Sequence, residues 1–381
     1  MLHLTESQLQ IQKLARDFAS KVIAPRALKL DEAEDFPLDI FESMREVGLM
    51  GIGVDPAHGG SGGGAIETII AVEEICRAYA GIGTILAVQI GLYGPVISRF
   101  GTDAQKKAFL DPLNNGRLVG AFGLTEPNAG SDASALESTA TRKGEKYILN
   151  GSKTFISCAD GATHFVIAAT TDKSKGSKGI CILIVPRNSK GFTIKKQHGK
   201  IGIIASTTAE LFFDSVEVPV ANRIGEEDQG YKNLLQVLEV SRMGVAAQAT
   251  GIAQSALDAS VAWAQQRKSF KVPLSQHQGI QFMLAEMATR VEAARLLTHQ
   301  AAALRDAGKP FSKESSMAKL FAAEAAMWVS TKAVQIHGGY GYFKGSIVER
   351  CFRDAKITEI YEGTSEVQKM LIARRLFEGN R

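Results

Sequence analysis

Three stretches of this chain bring together residue types that could do chemistry. The segment Ile360-Tyr361-Glu362-Gly363-Thr364-Ser365 sets a carboxylate beside a glycine and two hydroxyls. Ser365 and Gln368 read as a capping box, so a helix is expected to start there, with Glu362 in the loop before it. A carboxylate flanked by Ile360 and Tyr361 loses hydration, which raises its pKa and makes it a usable base. The amides and hydroxyls of the helix start can meet an anionic group. An exposed linker glutamate is the plain alternative. In Phe122-Gly123-Leu124-Thr125-Glu126-Pro127-Asn128-Ala129-Gly130-Ser131-Asp132, small residues let backbone amides approach a ligand, and Thr125 and Ser131 add hydroxyls. In Asn150-Gly151-Ser152-Lys153-Thr154-Phe155-Ile156-Ser157, a hairpin turn leads into an aromatic, an aliphatic and a hydroxyl residue. A flat cofactor could stack on the first two and be hydrogen-bonded by the third. An ordinary polar turn and an ordinary strand are the simpler readings of these two segments.

The elements that must position these residues fall into three blocks. Residues 1–118 read as helical: Thr5 and Gln8 form a capping box, and Ile11, Leu14, Ala15, Phe18 and Val22 recur at helical spacing. A second helix is expected from Pro37, with Gly48 as its stop. The run Gly59–Gly64 lacks the Lys-Ser/Thr ending of a phosphate-binding loop and reads as a turn. Residues 119–226 are β-rich, with apolar runs at Phe165–Thr170 and Ile180–Val185, loose alternation at Leu211–Val220, and turn signals at Asn150-Gly151 and Lys190-Gly191. No helices alternate with these strands, which argues against a doubly wound nucleotide fold. Residues 227–381 are helical again, with segments at Leu234–Ala264, Gln278–Ala307, Ser315–Ile336 and Ser365–Phe377 that predict a bundle.

Composition narrows the field. At 381 residues the chain is too long for one simple core. Its net charge of +4 suits an anionic small ligand and makes no case for nucleic acid. Cys76, Cys158, Cys181 and Cys351 show neither CxxC nor zinc-like spacing, so free thiols in a reducing compartment are expected. No apolar run is expected to span a bilayer, and the polar Thr5–Gln8 segment does not fit a signal peptide. The expected location is cytoplasmic and bacterial-type, or the mitochondrial matrix if a leader was removed.

The stretches Thr125-Glu126-Pro127 to Gly130-Ser131-Asp132, Gln335-Ile336-His337-Gly338-Gly339-Tyr340-Gly341 and Ile360-Tyr361-Glu362-Gly363-Thr364 jointly resemble the acyl-CoA dehydrogenase family. The resemblance covers essentially the whole chain, and the short-chain, butyryl-CoA-like members are nearest in pattern. It implies an α+β multidomain fold: an N-terminal α-helical domain, a middle β-barrel-like domain and a C-terminal four-helix bundle. It also implies FAD as cofactor and an acyl-CoA substrate. Glu362 would remove the α-proton and flavin N5 would accept the β-hydride. Electrons would pass to an electron-transferring flavoprotein, and the assembly would be a homotetramer, a dimer of dimers.

By the same resemblance, Phe122, Leu124, Thr125, Gly130 and Ser131 line the flavin or its phosphates, and Phe155, Ile156 and Ser157 flank the isoalloxazine ring. Arg267, Ser269 and Phe270 match an Arg-x-x-Phe element that reaches FAD across a subunit contact. Gln278, Gln335, Gly338 and Gly339 match further FAD contacts, with Thr364 and Glu366 at the helix start. For the substrate, Ser131, Tyr361 and Gly363 match contacts, and Glu239 and Arg242 resemble an Asp-x-x-Arg element that holds CoA. Three apart on a helix, those two share a face, so an internal ion pair stands as the alternative. Where some relatives place the base immediately before the bundle arginine, this chain has Ser241, which supports Glu362. Phe155 stands where relatives often carry Trp, and Lys271 where a glycine is usual. The segment Thr84–Gly94 has no cation, so a short neutral acyl chain is expected rather than a dicarboxylic one. An enoyl-CoA reductase of the same fold, an oxygen-using oxidase and a silent CoA- or flavin-binding scaffold are the rival readings.

Overall fold

The Thr5 capping box forms, with the Gln8 amide donating to Thr5 Oγ1 at 3.3 Å and the Thr5 amide to Gln8 Oε1 at 2.9 Å. It opens the first helix of a computed structural model that describes residues 4–115 and 118–378. The N-terminal helices are α1 (Glu6–Phe18), α2 (Ala27–Ala33), α3 (Leu38–Glu46), α4 (Ala65–Ala78), α5 (Ala80–Val88), α6 (Gly94–Phe100), α7 (Asp103–Gln105) and α8 (Asp111–Asn115). Gly48, at φ +80°, follows α3 as the expected stop, and Pro37 sits at the N-cap position of that helix rather than in its first turn. Gly60 is required in its turn because a Cβ would lie 2.1 Å from the Val54 carbonyl oxygen.

One expectation about this block is corrected. Ala80–Phe100 is a helical run of 21 residues, long and apolar enough to cross a membrane, but 83% of its most apolar stretch is buried inside the protein. It is a core helix, with a π-turn at Gln89–Tyr93. That turn ties the helical block to the start of the sheet: Gln89 donates to the Gly120 carbonyl at 2.9 Å and accepts from its amide at 2.8 Å.

The middle block holds β1 (Gly120–Gly123), β2 (Thr139–Lys143), β3 (Lys146–Ser157), β4 (His164–Thr170), β5 (Ile180–Pro186), β6 (Phe192–Gln197), β7 (Thr208–Pro219) and β8 (Arg223–Ile224). They run in the order β6-β7-β3-β2-β4-β5-β8, with β1 parallel to β4. The two halves are hydrogen-bonded through a single parallel register pair, Thr139–Thr170. Phe165 on β4 meets Phe192 on β6 at 4.9 Å, so the sheet folds back over its own core in the barrel-like manner expected. Asn150-Gly151 is not a hairpin turn. It lies inside β3 at a register shift against β7, where Asn150 Oδ1 accepts the Ser215 amide at 2.8 Å. The β2–β3 turn falls at Gly144-Glu145 instead. Pairing on both edges of β3 outweighs the local turn preference of Asn-Gly.

The C-terminal block comprises α9 (Gly230–Gln266), a two-residue hairpin of β9 (Lys268–Ser269) and β10 (Val272–Pro273), α10 (Gln278–Asp306), α11 (Ser312–His337), α12 (Gly339–Tyr342), α13 (Ile347–Thr358) and α14 (Ser365–Glu378). The bundle is α9, α10, α11 and α13; α14 packs on α11, and α4 packs on α9. α13 was not foreseen as a helix.

A buried polar cluster ties the three blocks together. Asp31 on α2 accepts from the Tyr79 hydroxyl at 2.9 Å and from Arg353 at 2.5 Å. Tyr79 accepts the Ala205 amide, and Asp354 accepts the Ile203 amide at 2.5 Å. Burial pushes the Asp354 carboxyl up to about 7, while the Ile203 amide, Arg350 and Arg353 pull against it and Asp31 adds to it. An unfolded aspartate loses its proton near 4. Between about 4 and about 7 the unfolded chain therefore holds fewer protons at this site, and its contribution to stability falls as pH rises. Relative to Asp354→Asn, the wild type is expected to lose thermal stability steadily across that window and to run parallel above it. A difference in unfolding midpoint that stays flat from pH 4.5 to 7 would contradict this.

Candidate active site

Helix α13 ends at Thr358, whose hydroxyl donates to the Ala355 carbonyl at 2.7 Å. The chain then reverses through Glu362 and Gly363, both left-handed at φ +54° and +94°. A non-glycine residue in that conformation costs about 1–2 kcal/mol, so the reversal must be held by its surroundings. Gln368 donates to the carbonyls of Glu362 and Gly363 at 3.3 and 2.9 Å, and the buried Lys319 donates to the Gly363 carbonyl at 2.8 Å. The Ser365–Gln368 capping box is thus not formed. Gln368 faces the loop, and Thr364 takes the cap, accepting the Val367 amide at 3.3 Å.

Glu362 opens on a cavity of about 310 Å³. Its apolar walls include Ile69 and Val72 of α4, Ala87 and Ile90 of the buried helical run, and Val240 and Met243 of α9, with Ser241 beside the carboxyl. Arg99, Arg305 and Asp306 form a polar border. Burial raises the Glu362 pKa, while the Ser241 hydroxyl, Lys319 and Arg242 pull it back. Glu362 Oε2 is buried without a hydrogen-bond partner, and its amide has no acceptor among the described residues. A carboxylate with one buried, unpartnered oxygen and an amide without an internal acceptor, beside this cavity, suit taking a proton from a weak carbon acid whose carbonyl oxygen needs a donor.

Arg242 and Glu239 do not pair with each other. Glu239 accepts from Ser312 at 2.8 Å and faces Arg375 at 3.6 Å. Arg242 is buried, and its Nε has no partner. Arg242 is therefore an available donor, and Glu239 is engaged internally. Beside the base, Tyr361 donates to Gln248, Gln248 to Thr84 at 2.8 Å, and Thr84 to the Ala80 carbonyl at 2.9 Å. This hydrogen-bonded chain ties the residue before Glu362 to α9 and α5.

A second group of foreseen residues gathers on β1 and β3. Phe122, Leu124 and Thr125 lie at the end of β1, where the Thr125 carbonyl accepts the Thr154 amide at 3.0 Å. Glu126 and Lys153 form a fully buried ion pair at 2.6 Å, and Glu126 also accepts the amides of Glu137 and Ser138 at 2.5 and 3.0 Å. This anchors the loop that presents Gly130 and Ser131 to solvent. Phe155 is 69% exposed on a left-handed backbone, φ +58°. Ile156 departs from expectation. Its side chain is buried in the β core, so only Phe155 and Ser157 offer side chains to a ligand. Nearby, the Thr207 hydroxyl is buried without a partner.

A third group lies elsewhere. Arg267 sits just past the end of α9, stacked over Tyr340, and Phe270 and Lys271 turn the β9–β10 hairpin at φ +48° and +73°. The hairpin closes with Lys271 where glycine was usual, both central residues being left-handed as a type I′ turn requires. Phe270 is 91% exposed, Gln278 begins α10, and Gln335, Gly338 and Gly339 end α11, with open space where Cβ atoms of the two glycines would stand. Arg267 is 25 residues along from Arg242, about 37 Å at helical rise.

An exposed aromatic on a strained strand, an orphaned hydroxyl, an anchored small-residue loop and two open glycines fit a flat cofactor with a phosphate tail such as FAD. Four functional contributors escaped the sequence reading: Lys319, Gln368 as a loop clamp, Lys153 and Gln248. Lys319 alone left a usable signal, as a lone charge on a helix face of small residues.

Three family models match: acyl-CoA dehydrogenase N-terminal domain over residues 5–117, middle domain over 121–216 and C-terminal domain over 228–377. An acryloyl-CoA reductase (NADH) of Anaerotignum propionicum is 47% identical over 377 residues, 98% of this chain and 95% of that protein. Butyryl-CoA dehydrogenase of Megasphaera elsdenii superposes with a TM-score of 0.96 at 43% identity, covering 99% of this chain and 100% of that one. A chain from a structure described as the electron transferring flavoprotein of Acidaminococcus fermentans superposes at 0.97 with 45% identity, covering 99% of both.

Proposed function

The chain belongs to the acyl-CoA dehydrogenase family, and from that premise we propose that it oxidises a short, neutral acyl-CoA to the trans-2-enoyl-CoA with FAD as cofactor. The observation that carries the reading is the Glu362 carboxyl on its cavity, with its Oε2 buried and unpartnered. Glu362 takes the α-proton. Its free backbone amide donates to the thioester carbonyl and stabilises the charge that develops there. Exclusion of water raises the basicity of the carboxylate. Arg242 offers its unpartnered Nε to the CoA portion, and Ser131, Tyr361 and Gly363 complete the substrate contacts. FAD, when bound, would supply the hydride acceptor for the β-hydrogen, a role no side chain here can fill. Phe122, Leu124, Thr125, Gly130, Ser131, Phe155 and Ser157, with Thr364 and Glu366, hold it from one chain. Arg267, Ser269, Phe270, Gln278, Gln335, Gly338 and Gly339 reach it from a second copy. That division goes with a homotetramer built as a dimer of dimers. Electrons pass on to an electron-transferring flavoprotein, a reading supported by the Acidaminococcus similarity. Four unpaired cysteines fit the reducing conditions of a cytoplasmic location.

The short chain is supported by the modest cavity of about 310 Å³ on which Glu362 opens. Neutrality is supported by the bordering arginines, since Arg99 is bonded to Gln236 and Arg305 faces Asp306. Anaerobic addition of acyl-CoA thioesters to the FAD-loaded protein should bleach the visible flavin band fastest with butyryl-CoA-sized chains. Bleaching by none, or best bleaching by a dicarboxylyl-CoA, would overturn the reading. The Anaerotignum similarity favours one second reading, enoyl-CoA reduction by the same residues in reverse. Faster reoxidation of the reduced protein by an enoyl-CoA than reduction by the matching acyl-CoA would favour it.

A further inference from the structure

The loop that carries Glu362 is gripped by a residue with no part in the mechanism above. Lys319, on α11, has a fully buried side chain on a helix face otherwise made of Ser315, Ser316, Ala318, Ala322 and Ala323. Burying an ammonium without a carboxylate partner is costly, and Lys319 forms no ion pair within 4 Å among the described residues. Its Nζ donates to the Gly363 carbonyl, the residue after the base. Such a placement is hard to account for by stability alone.

We propose that Lys319 is a positioning residue for Glu362: it fixes the left-handed reversal by holding the Gly363 carbonyl, and its charge keeps the buried carboxylate ionised and ready to take a proton. This rests on the reading of Glu362 as the base. The charges around the pair can be named. On α9, Arg242 faces Glu362, with Glu239 beside it; Arg375 on α14 acts on Arg242; Glu359 and Glu366 face Lys319. Among the described residues, the cations that lower the Glu362 pKa are Lys319 and Arg242. Burial lowers Lys319 itself to about 8, so it is mostly charged at neutral pH. Gln368 grips the same carbonyl without a charge, so holding and charging can be separated by mutation.

The test compares FAD-loaded wild type, Lys319→Met, Lys319→Gln and Gln368→Met. Two rates are followed across pH: flavin reduction by the best acyl-CoA, and deuterium uptake at the α-carbon of acetyl-CoA in D2O. The second needs no oxidation, because acetyl-CoA has no β-hydrogen. Glu362 takes a proton from carbon and a deuteron returns after exchange with solvent. Lys319→Met should slow both rates by ~10²-fold near neutrality and move the acid limb of both profiles to higher pH. Lys319→Gln retains a donor for the Gly363 carbonyl and should move the limb while losing less rate. Gln368→Met should lower the rates without moving the limb. A limb unmoved in both Lys319 variants overturns the proposal, and Lys319→Gln decides alone if the methionine variant does not fold. A wild type that neither bleaches nor exchanges would instead sink the reading of Glu362.

Discussion

Replacing Glu362 by glutamine is expected to lower the rate of flavin reduction by acyl-CoA by ~10²–10⁴-fold while the protein stays folded and retains its flavin. Glutamine keeps the size of the side chain and cannot take the proton. The backbone at φ +54° is held by Lys319 and Gln368 through carbonyls, not through the carboxylate, so the loop should persist. The Oε2 atom makes no internal hydrogen bond that the substitution would break. Acyl-CoA binding should therefore survive, since the Glu362 amide and Arg242 remain. The pH dependence follows from the sign of the shift. Burial raises the pKa of Glu362, so wild-type activity should fall as pH drops through that raised value, at a higher pH than an exposed glutamate would set. Rapid anaerobic bleaching by the glutamine variant would show that another group removes the proton.

Lys153→Met should destabilise the protein by about 3–5 kcal/mol and weaken flavin retention together. The pair it breaks is sealed, Lys153 at 0% and Glu126 at 4% side-chain exposure, 2.6 Å apart. Burial lowers Lys153 to about 8, the Glu126 charge opposing it. Burial also pushes Glu126 up, but Lys153, Ser138 and the Glu137 amide outweigh it and hold Glu126 in its ionised form. Removing the lysine leaves that carboxylate enclosed with two amides as its remaining partners. The Thr125–Ser131 loop, which Glu126 anchors to β3, then loses its hold. Lys153→Met combined with Glu126→Gln should recover part of the loss, because the uncompensated charge is gone. Thermal unfolding followed by protein and flavin fluorescence checks both effects. Wild-type midpoints for the single variant would rule out this anchoring role.

Much of the architecture was legible because periodicity is a local signal. α9, α10, α11 and α14 fall within a few residues of the alanine-rich segments, and β4, β5 and β7 on the apolar runs. Asn150-Gly151 misled because a bulge inside a strand paired on both edges uses the same residues as a hairpin turn. The Ile156 side chain points into the core because strand alternation sends every second side chain there. The Ser365–Gln368 box misled because Gln368 found a better use one turn back, on the Glu362 loop.

By itself the sequence carried the three-block organisation, through periodicity, and pointed to Glu362 and to residue types suited to a flat, phosphate-tailed cofactor through short motifs that resemble those of a known family and whose members are neighbours in the chain. The tertiary structure alone decided which groups face one another. It left Arg242 without an ion pair to Glu239, set Lys319 behind Glu362 from 43 positions away, and closed Tyr361 on Gln248 and Thr84. The physical reason is that a base's strength and a guanidinium's availability depend on burial and on partners across the fold. Neither can be read from residues adjacent in sequence.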